Sequence, residues 1–169
     1  NTEKANFLRT RIVSMLNATA FVSGEYISNE LGITRSSVSN HIQALSALGL
    51  DVFSVNGRGY KLAQPLILLE ESRIRAQLAD LHKASIFVNN IVGSTNDALK
   101  EHAKDLSQGS ACVAEAQTQG RGRRGRKWVS PFGASIYLSM LWRFESGYQS
   151  MAGLSLVIGI GVNRALQRI

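Results

Sequence analysis

Residues 120–128, GRGRRGRKW, crowd five cations (Arg121, Arg123, Arg124, Arg126 and Lys127) among three glycines. Such a loop suits a phosphate or another anion. Glycine lets the backbone approach closely, and guanidinium groups match phosphate oxygens through paired hydrogen bonds. Gly120, Gly122 and Gly125 also spell G-x-G-x-x-G, with Glu145 twenty residues after the last glycine. That pattern marks a dinucleotide site only where it follows a strand and opens a helix whose N-terminus receives the pyrophosphate. Here Pro131 and Gly133 interrupt the chain, and Ile136, Leu138, Met140, Trp142 and Phe144 then alternate with Ser135, Tyr137, Ser139 and Arg143. This is strand periodicity, expected over 134–144, so the loop works by another device. Repulsion among its cations is expected to keep it mobile until an anion orders it; on charge alone, a merely solvated basic loop remains the alternative.

Two further groups of residues carry chemistry. In GSTNDAL (93–99) a strand ends and a helix opens, and Ser94 and Thr95 suit either N-caps or hydrogen bonds to a ligand carbonyl or anion. Gln117 stands at the end of an apolar strand, immediately before the basic loop. The second group lies in the first third of the chain. On a helix beginning at Arg35, Val38, Ile42, Leu45 and Leu48 follow core spacing and leave Arg35, Ser36, Ser39, Asn40 and Gln43 pointing outward, which are types that read base edges and phosphates. His41 faces neither side clearly and reads as structural. Cys112, in SACVAEA, reads as a core thiol, with a nucleophile as the remote alternative.

These residues need scaffolds. Residues 5–17 place Leu8, Ile12, Met15 and Leu16 on one helical stripe. Ser23 followed by Glu25 suits a helix start, Gly32 a stop, and Thr34 a cap for the third helix. The short join GIT makes the last two a helix-turn-helix unit. DVFSVNGRGYKL (51–62) then reads as a hairpin with Asn56-Gly57 supplying the positive-φ turn residues, a wing with Arg58 at its tip. The competing reading is a small helical bundle with a hairpin that binds protein. A domain boundary falls near Pro65, giving residues 1–64 and 65–169. Beyond it come a helical pattern at Ile74, Leu78 and Leu81, strand 85–91, helix 94–106, strand 110–116, the loop, strand 134–144 and helix 151–168. The fold class is α+β: a winged helix-turn-helix, then an incomplete mixed α/β domain.

Composition agrees with a globular protein, 44% hydrophobic and 18% charged. Of the net charge of +7, residues 66–169 hold thirteen Lys/Arg against eight Asp/Glu, an excess that the five loop cations account for. One cysteine and no leader peptide point to a reducing cytoplasm. The apolar segment 151–162 is shorter than the roughly 20 residues that span a bilayer and is expected to be a core helix. The lack of an initiator Met and the stop at Ile169 suggest a portion of a longer chain.

STN (94–96), AEAQTQGRGRRGRKW, SPFGASIYLSMLWR and GLSLVIGI together resemble the catalytic domain of biotin-protein ligases, and the winged helix resembles the bifunctional bacterial type that also represses the biotin operon. The resemblance implies condensation of biotin with ATP, accompanied by Mg2+, to biotinyl-5′-adenylate, then transfer to a lysine of a carboxylase biotin carrier domain. It implies biotin contacts from Ser94, Thr95, Asn96, Gln117, Arg121, Gly122 and Arg123, with Gly122 offering backbone only. Arg121 and Arg123 are the implied catalytic cations, near the biotin carboxylate and the α-phosphate. Gly120, Arg124, Gly125 and Arg126 complete the phosphate loop, and Trp128 is either an apolar wall or core. Operator DNA is the implied second partner, contacted by Arg35, Ser36, Ser39, Asn40, Gln43 and Arg58, with a ligand-promoted homodimer and no membrane. The family's lysine-bearing KWPND segment does not occur, so complete ligase activity is not expected of these residues alone, and an unpaired sheet edge is. Two other classes compete: a ligand-sensing DNA-binding regulator without ligase activity, and an RNA-binding protein using the Arg/Gly loop. The last calls for aromatics interleaved through the basic stretch, and none precedes Trp128.

Overall fold

The computed structural model describes residues 2–78, 84–145 and 147–168. Three helices, α1 (Thr2–Met15), α2 (Gly24–Leu31) and α3 (Arg35–Ala47), are followed by the antiparallel hairpin β1 (Val52–Val55) and β2 (Gly59–Leu62). The caps lie where the sequence puts them. Ser23 accepts the Tyr26 N–H at 3.0 Å, Thr34 accepts the Ser37 N–H at 3.1 Å, and Gly32 closes α2 in the left-handed region. Ile12, Val13 and Leu16 of the first helical segment meet Ile27, Val38, Ile42 and Leu45 in one buried cluster. The hairpin departs from expectation at one point: its positive-φ residues are Gly57 and Gly59, and Asn56 is not among them. The reason is a third strand-like segment. Val22 exchanges backbone hydrogen bonds with Tyr60 (2.8 and 2.9 Å), and a Cβ on Gly59 would stand 2.1 Å from the Val22 carbonyl oxygen.

After α4 (Glu71–Leu78), β3 (Ile86–Val92), α5 (Thr95–Glu101) and β4 (Ala111–Gln117) form a parallel strand pair joined through a helix, as parallel pairing requires. β5 (Tyr137–Met140) adds antiparallel to β4, giving the order β3-β4-β5 with β3 and β5 at the edges among the described strands. Ala111–Ala116 are all buried, as a central strand covered on both faces should be. Cys112 lies there fully buried, its sulfur accepting from Asn89 at 3.5 Å, and burial pushes its thiol up in pKa. That is a core thiol.

Several expectations need correction. The strand expected over 134–144 is confined to Tyr137–Met140, because at Gly133, whose N–H bonds the Glu115 carbonyl at 3.0 Å, the chain bends into a turn around Pro131. The last helix, α6 (Leu154–Leu166), is shorter than 151–168 and is preceded by a 3-10 turn at Tyr148–Met151. It is not a core helix: Leu156, Val157, Ile158, Ile160 and Val162 are all more than half exposed. Its apolar side chains meet no covering layer among the described residues. The helix expected to reach Leu81 is described as far as Leu78, and Leu81 lies outside the described residues.

The two halves share packing. Phe132, 3% exposed, lies in the same cluster as Ile12 and Leu45, together with Ile91 and Ala116, and its N–H donates to the Leu48 carbonyl at 2.7 Å. Asn6 donates to the Ile91 carbonyl at 3.2 Å. Leu66 and Leu68 of the connecting segment pack on this cluster, and the Leu69 N–H donates to the buried Glu115 carboxylate at 2.5 Å. Burial raises the Glu115 pKa, and the Leu69 hydrogen bond partly offsets this.

Candidate functional site

This framework carries two candidate sites. On α3, Val38, Ile42 and Leu45 are buried, Arg35, Ser36, Asn40 and Gln43 are exposed, and Ser39 is half-buried. The structure therefore gathers the expected polar residues on the outer face of one helix. A groove of about 610 Å3 runs between the start of that helix and the wing, lined by Arg35, Ser36, Asn56 and Arg58 among others. Arg58 is exposed, with its guanidinium carbon 4.6 Å from the centre of the Phe21 ring. Lys61 lies 5.4 Å from the same ring and 5.5 Å from Phe53. The sequence reading missed Phe21 and Lys61. The β-prone Phe21-Val22 pair was the available signal, since Val22 is what ties this segment to the wing. His41 is half-buried, and burial, with the Arg9 charge adding to it, lowers its pKa, in keeping with a structural role.

The second site is a cleft of about 360 Å3 whose lining includes Ser94, Thr95, Asn96, Gln117, Arg121 and Trp128, with Ile136–Ser139 of the β5 region completing it. A hydrogen-bond network holds its floor. The Gln117 Oε1 accepts from the Thr95 N–H at 3.0 Å and the Thr95 hydroxyl at 3.3 Å, while its Nε2 donates to the Ser130 hydroxyl at 3.1 Å. The Thr95 and Ser139 hydroxyls lie 2.8 Å apart. Thr95 thus turns its backbone donor to Gln117. Ser94 occupies the N-cap position of α5 yet makes no side-chain capping bond, so the expected capping by its hydroxyl is corrected. It is buried at the cleft. Ser130 and Ser139 were missed as site residues because each sits on a segment read only for strand alternation or chain breaking.

The basic loop is closed by its own backbone. Gly120 accepts the Trp128 N–H at 2.8 Å, Gly122 donates to the Arg126 carbonyl at 2.7 Å, and a 3-10 turn spans Arg123–Gly125. Gly120 must be glycine for space: a Cβ there would lie 2.7 Å from the Trp128 carbonyl and 2.9 Å from the Ser130 hydroxyl. The structure divides the loop's cations. Arg121 lines the Thr95–Gln117 cleft, whereas Arg123, Arg124, Arg126 and Lys127 line an adjoining hollow of about 630 Å3 with Gly122 and Trp128. Trp128 is 58% exposed and borders both spaces, so it is a wall and not core. Arg121 also pairs with the carboxylate of Asp97.

The model of an HTH domain matches residues 9–61, and that of the biotin/lipoate A/B protein ligase family matches residues 88–169. The bifunctional ligase/repressor BirA of Salmonella typhimurium is 46% identical over 94% of this chain and 48% of its own length. That of Escherichia coli is 44% identical over 98% of this chain and 51% of its own length. The chain therefore spans about half the length of these curated relatives. A solved biotin protein ligase from Aquifex aeolicus in complex with biotin and ATP is 42% identical, covering 50% of this chain and 35% of that chain at a TM-score of 0.42. The chain is therefore similar to an HTH domain over residues 9–61, to the biotin/lipoate A/B protein ligase family over residues 88–169, and to about half of the bifunctional ligase/repressors.

Proposed function

We propose that this chain is the DNA-binding and adenylate-forming portion of a biotin-protein ligase that also represses transcription. The observation that carries the reading is the Thr95–Gln117–Ser139 network opening directly onto Arg121 and the Gly/Arg loop. Polar groups of fixed orientation suit a small polar head group such as that of biotin, with Ser94 and Asn96 beside them. The loop supplies charge where two anions must meet. In the proposed reaction a biotin carboxylate oxygen attacks the α-phosphorus of ATP, the bond to pyrophosphate breaks, and biotinyl-5′-adenylate forms. Arg121 and Arg123 would neutralise the carboxylate and the α-phosphate and stabilise charge spread in the transition state. Gly120, Gly122, Arg124, Gly125 and Arg126 would line the phosphate path. A lysine amine of a carboxylase carrier domain would then attack the acyl carbon and release AMP.

Among the described residues no group of three or more His, Cys, Asp or Glu gathers in one place. The Mg2+ expected with ATP would be held chiefly through the nucleotide's phosphates and water, as is common for this ion. The winged module, residues 1–64 with a boundary near Pro65, would place Arg35, Ser36, Ser39, Asn40 and Gln43 in the major groove of operator DNA and Arg58 on its backbone, within a ligand-promoted homodimer. No described helix is long and apolar enough to cross a membrane, and a free buried cysteine suits the reducing cytoplasm we propose for it.

Biotin-dependent exchange of pyrophosphate into ATP by the protein at its full natural length tests the enzymatic half. Exchange is expected; biotin binding without exchange selects a ligand-sensing regulator instead. For the repressor half, operator binding is expected to tighten with biotin and ATP, and equal affinity with and without them refutes it.

A further inference from the structure

Arg121 differs from the other described cations of its loop, because it alone of these five forms an ion pair, from Nη2 to a carboxylate oxygen of Asp97. Asp97 lies in the first turn of α5, next to Asn96 and two residues after Thr95, both of which line the cleft. A carboxylate at the mouth of a site that receives anions repels them. Its presence there calls for an effect on the guanidinium that outweighs this repulsion. Stability of the fold is not that effect, because the two side chains are 58% and 47% exposed and such pairs contribute little. The effect is positional. Arginine carries five N–H donors on a rigid fork. Asp97 engages Nη2, so donors on the other nitrogens stay available towards the cleft. The Arg121 backbone is held as well, by its bridge to Lys127. A long side chain restrained at both ends has less rotamer freedom to lose when a ligand arrives.

We infer that Asp97 is a positioning residue, holding the Arg121 guanidinium at the mouth of the Thr95–Gln117 cleft so that its remaining donors meet the anionic group of the bound ligand. The inference rests on the ligase reading above. It has a clear opposite: a carboxylate that competes with the ligand for Arg121 would make binding tighter when removed.

The test is the rate of biotinyl-5′-adenylate release from the protein at its full natural length, for wild type, Asp97→Asn, Asp97→Glu, Arg121→Ala and the Asp97→Asn/Arg121→Ala pair. Asp97→Asn is expected to speed release about two- to five-fold, the scale of an exposed ion pair, with the thermal midpoint unchanged. Asp97→Glu should restore most of the retention, and Asp97→Asn should add nothing once Arg121 is gone. Unchanged or slower release from Asp97→Asn, or an undiminished effect in the Arg121→Ala background, overturns the positioning role. If wild type retains the adenylate while either result appears, the ligase reading stands and only the Asp97 role falls. A wild type that retains no adenylate removes both.

Discussion

The winged helix and the β5–α6 region both carry aliphatic side chains at regular spacing, and they bury them to opposite extents. In the first, Ile12, Ile27, Val38 and Leu45 are 0% exposed. In the second, Ile136, Leu138, Met140 and Trp142 are 53–75% exposed, and Ile158 and Ile160 of α6 are 56% and 54% exposed. Periodicity tells which face of an element is apolar; burial needs a second surface placed against that face. The three short helices find one another through tight turns and through Phe132, which arrives from far along the chain. β5 finds β4 on one edge, and its Ile136–Trp142 face meets no comparable layer among the described residues.

This contrast is open to direct attack. The largest effect is expected from Phe132→Ala in this 169-residue chain, which leaves a cavity in the winged-helix cluster and should cost about 3–5 kcal/mol. Ile158→Ala on α6 should stay within about 0.5 kcal/mol. Equal costs in chemical denaturation would erase the distinction between the regions. Phe132 also makes the cluster a joint product of both halves, so a fragment ending at Leu62 would lack part of its own core.

Next in size is the contrast within the basic loop. Arg121→Ala removes a charge-assisted donor worth on the order of 1.5–3 kcal/mol, and should speed adenylate release roughly 10- to 150-fold. Arg123→Ala should fall on the same side if it meets the α-phosphate, whereas Arg126→Ala should change little. Release no faster from the Arg121 variant than from the Arg126 variant would make the loop's charge non-specific.

A smaller effect belongs to the wing. Replacing Arg58 by alanine should flatten the slope of log operator affinity against log salt by about one unit if it touches a phosphate. An unchanged slope takes the wing tip out of the DNA interface.

The smallest effect concerns Glu115, which joins β4 to the connecting segment through Leu69. Burial raises its pKa in the folded chain. Its contribution to stability is therefore fully present below the ordinary value of 4.5 and is lost as pH rises from there through the raised folded value. Glu115→Gln cannot ionise, so its stability should gain on wild type as pH rises through that window. A difference that stays constant with pH would mean that Glu115 does not titrate abnormally.

Sequence reasoning reached furthest where the governing forces are local. Ser23 and Thr34 cap α2 and α3, Gly32 ends α2, and the apolar spacing of α3 separates its core residues from Arg35, Asn40 and Gln43, because capping and helical periodicity depend on residues a few positions apart. For the second site the resemblance named residues on a strand end, a helix start and a Gly/Arg loop, and Ser94, Thr95, Asn96, Gln117 and Arg121 among them line one cleft. Tertiary structure alone decided the rest. It spent the Thr95 N–H on Gln117, put Ser130 and Ser139 into the network, paired Arg121 with Asp97, and carried Phe132 into the core of a unit nearly seventy residues before it in the chain. Each of these depends on which strand lies beside which and in what register. Residue pattern within one segment holds no record of that, because the partner's position is set by packing across the whole molecule.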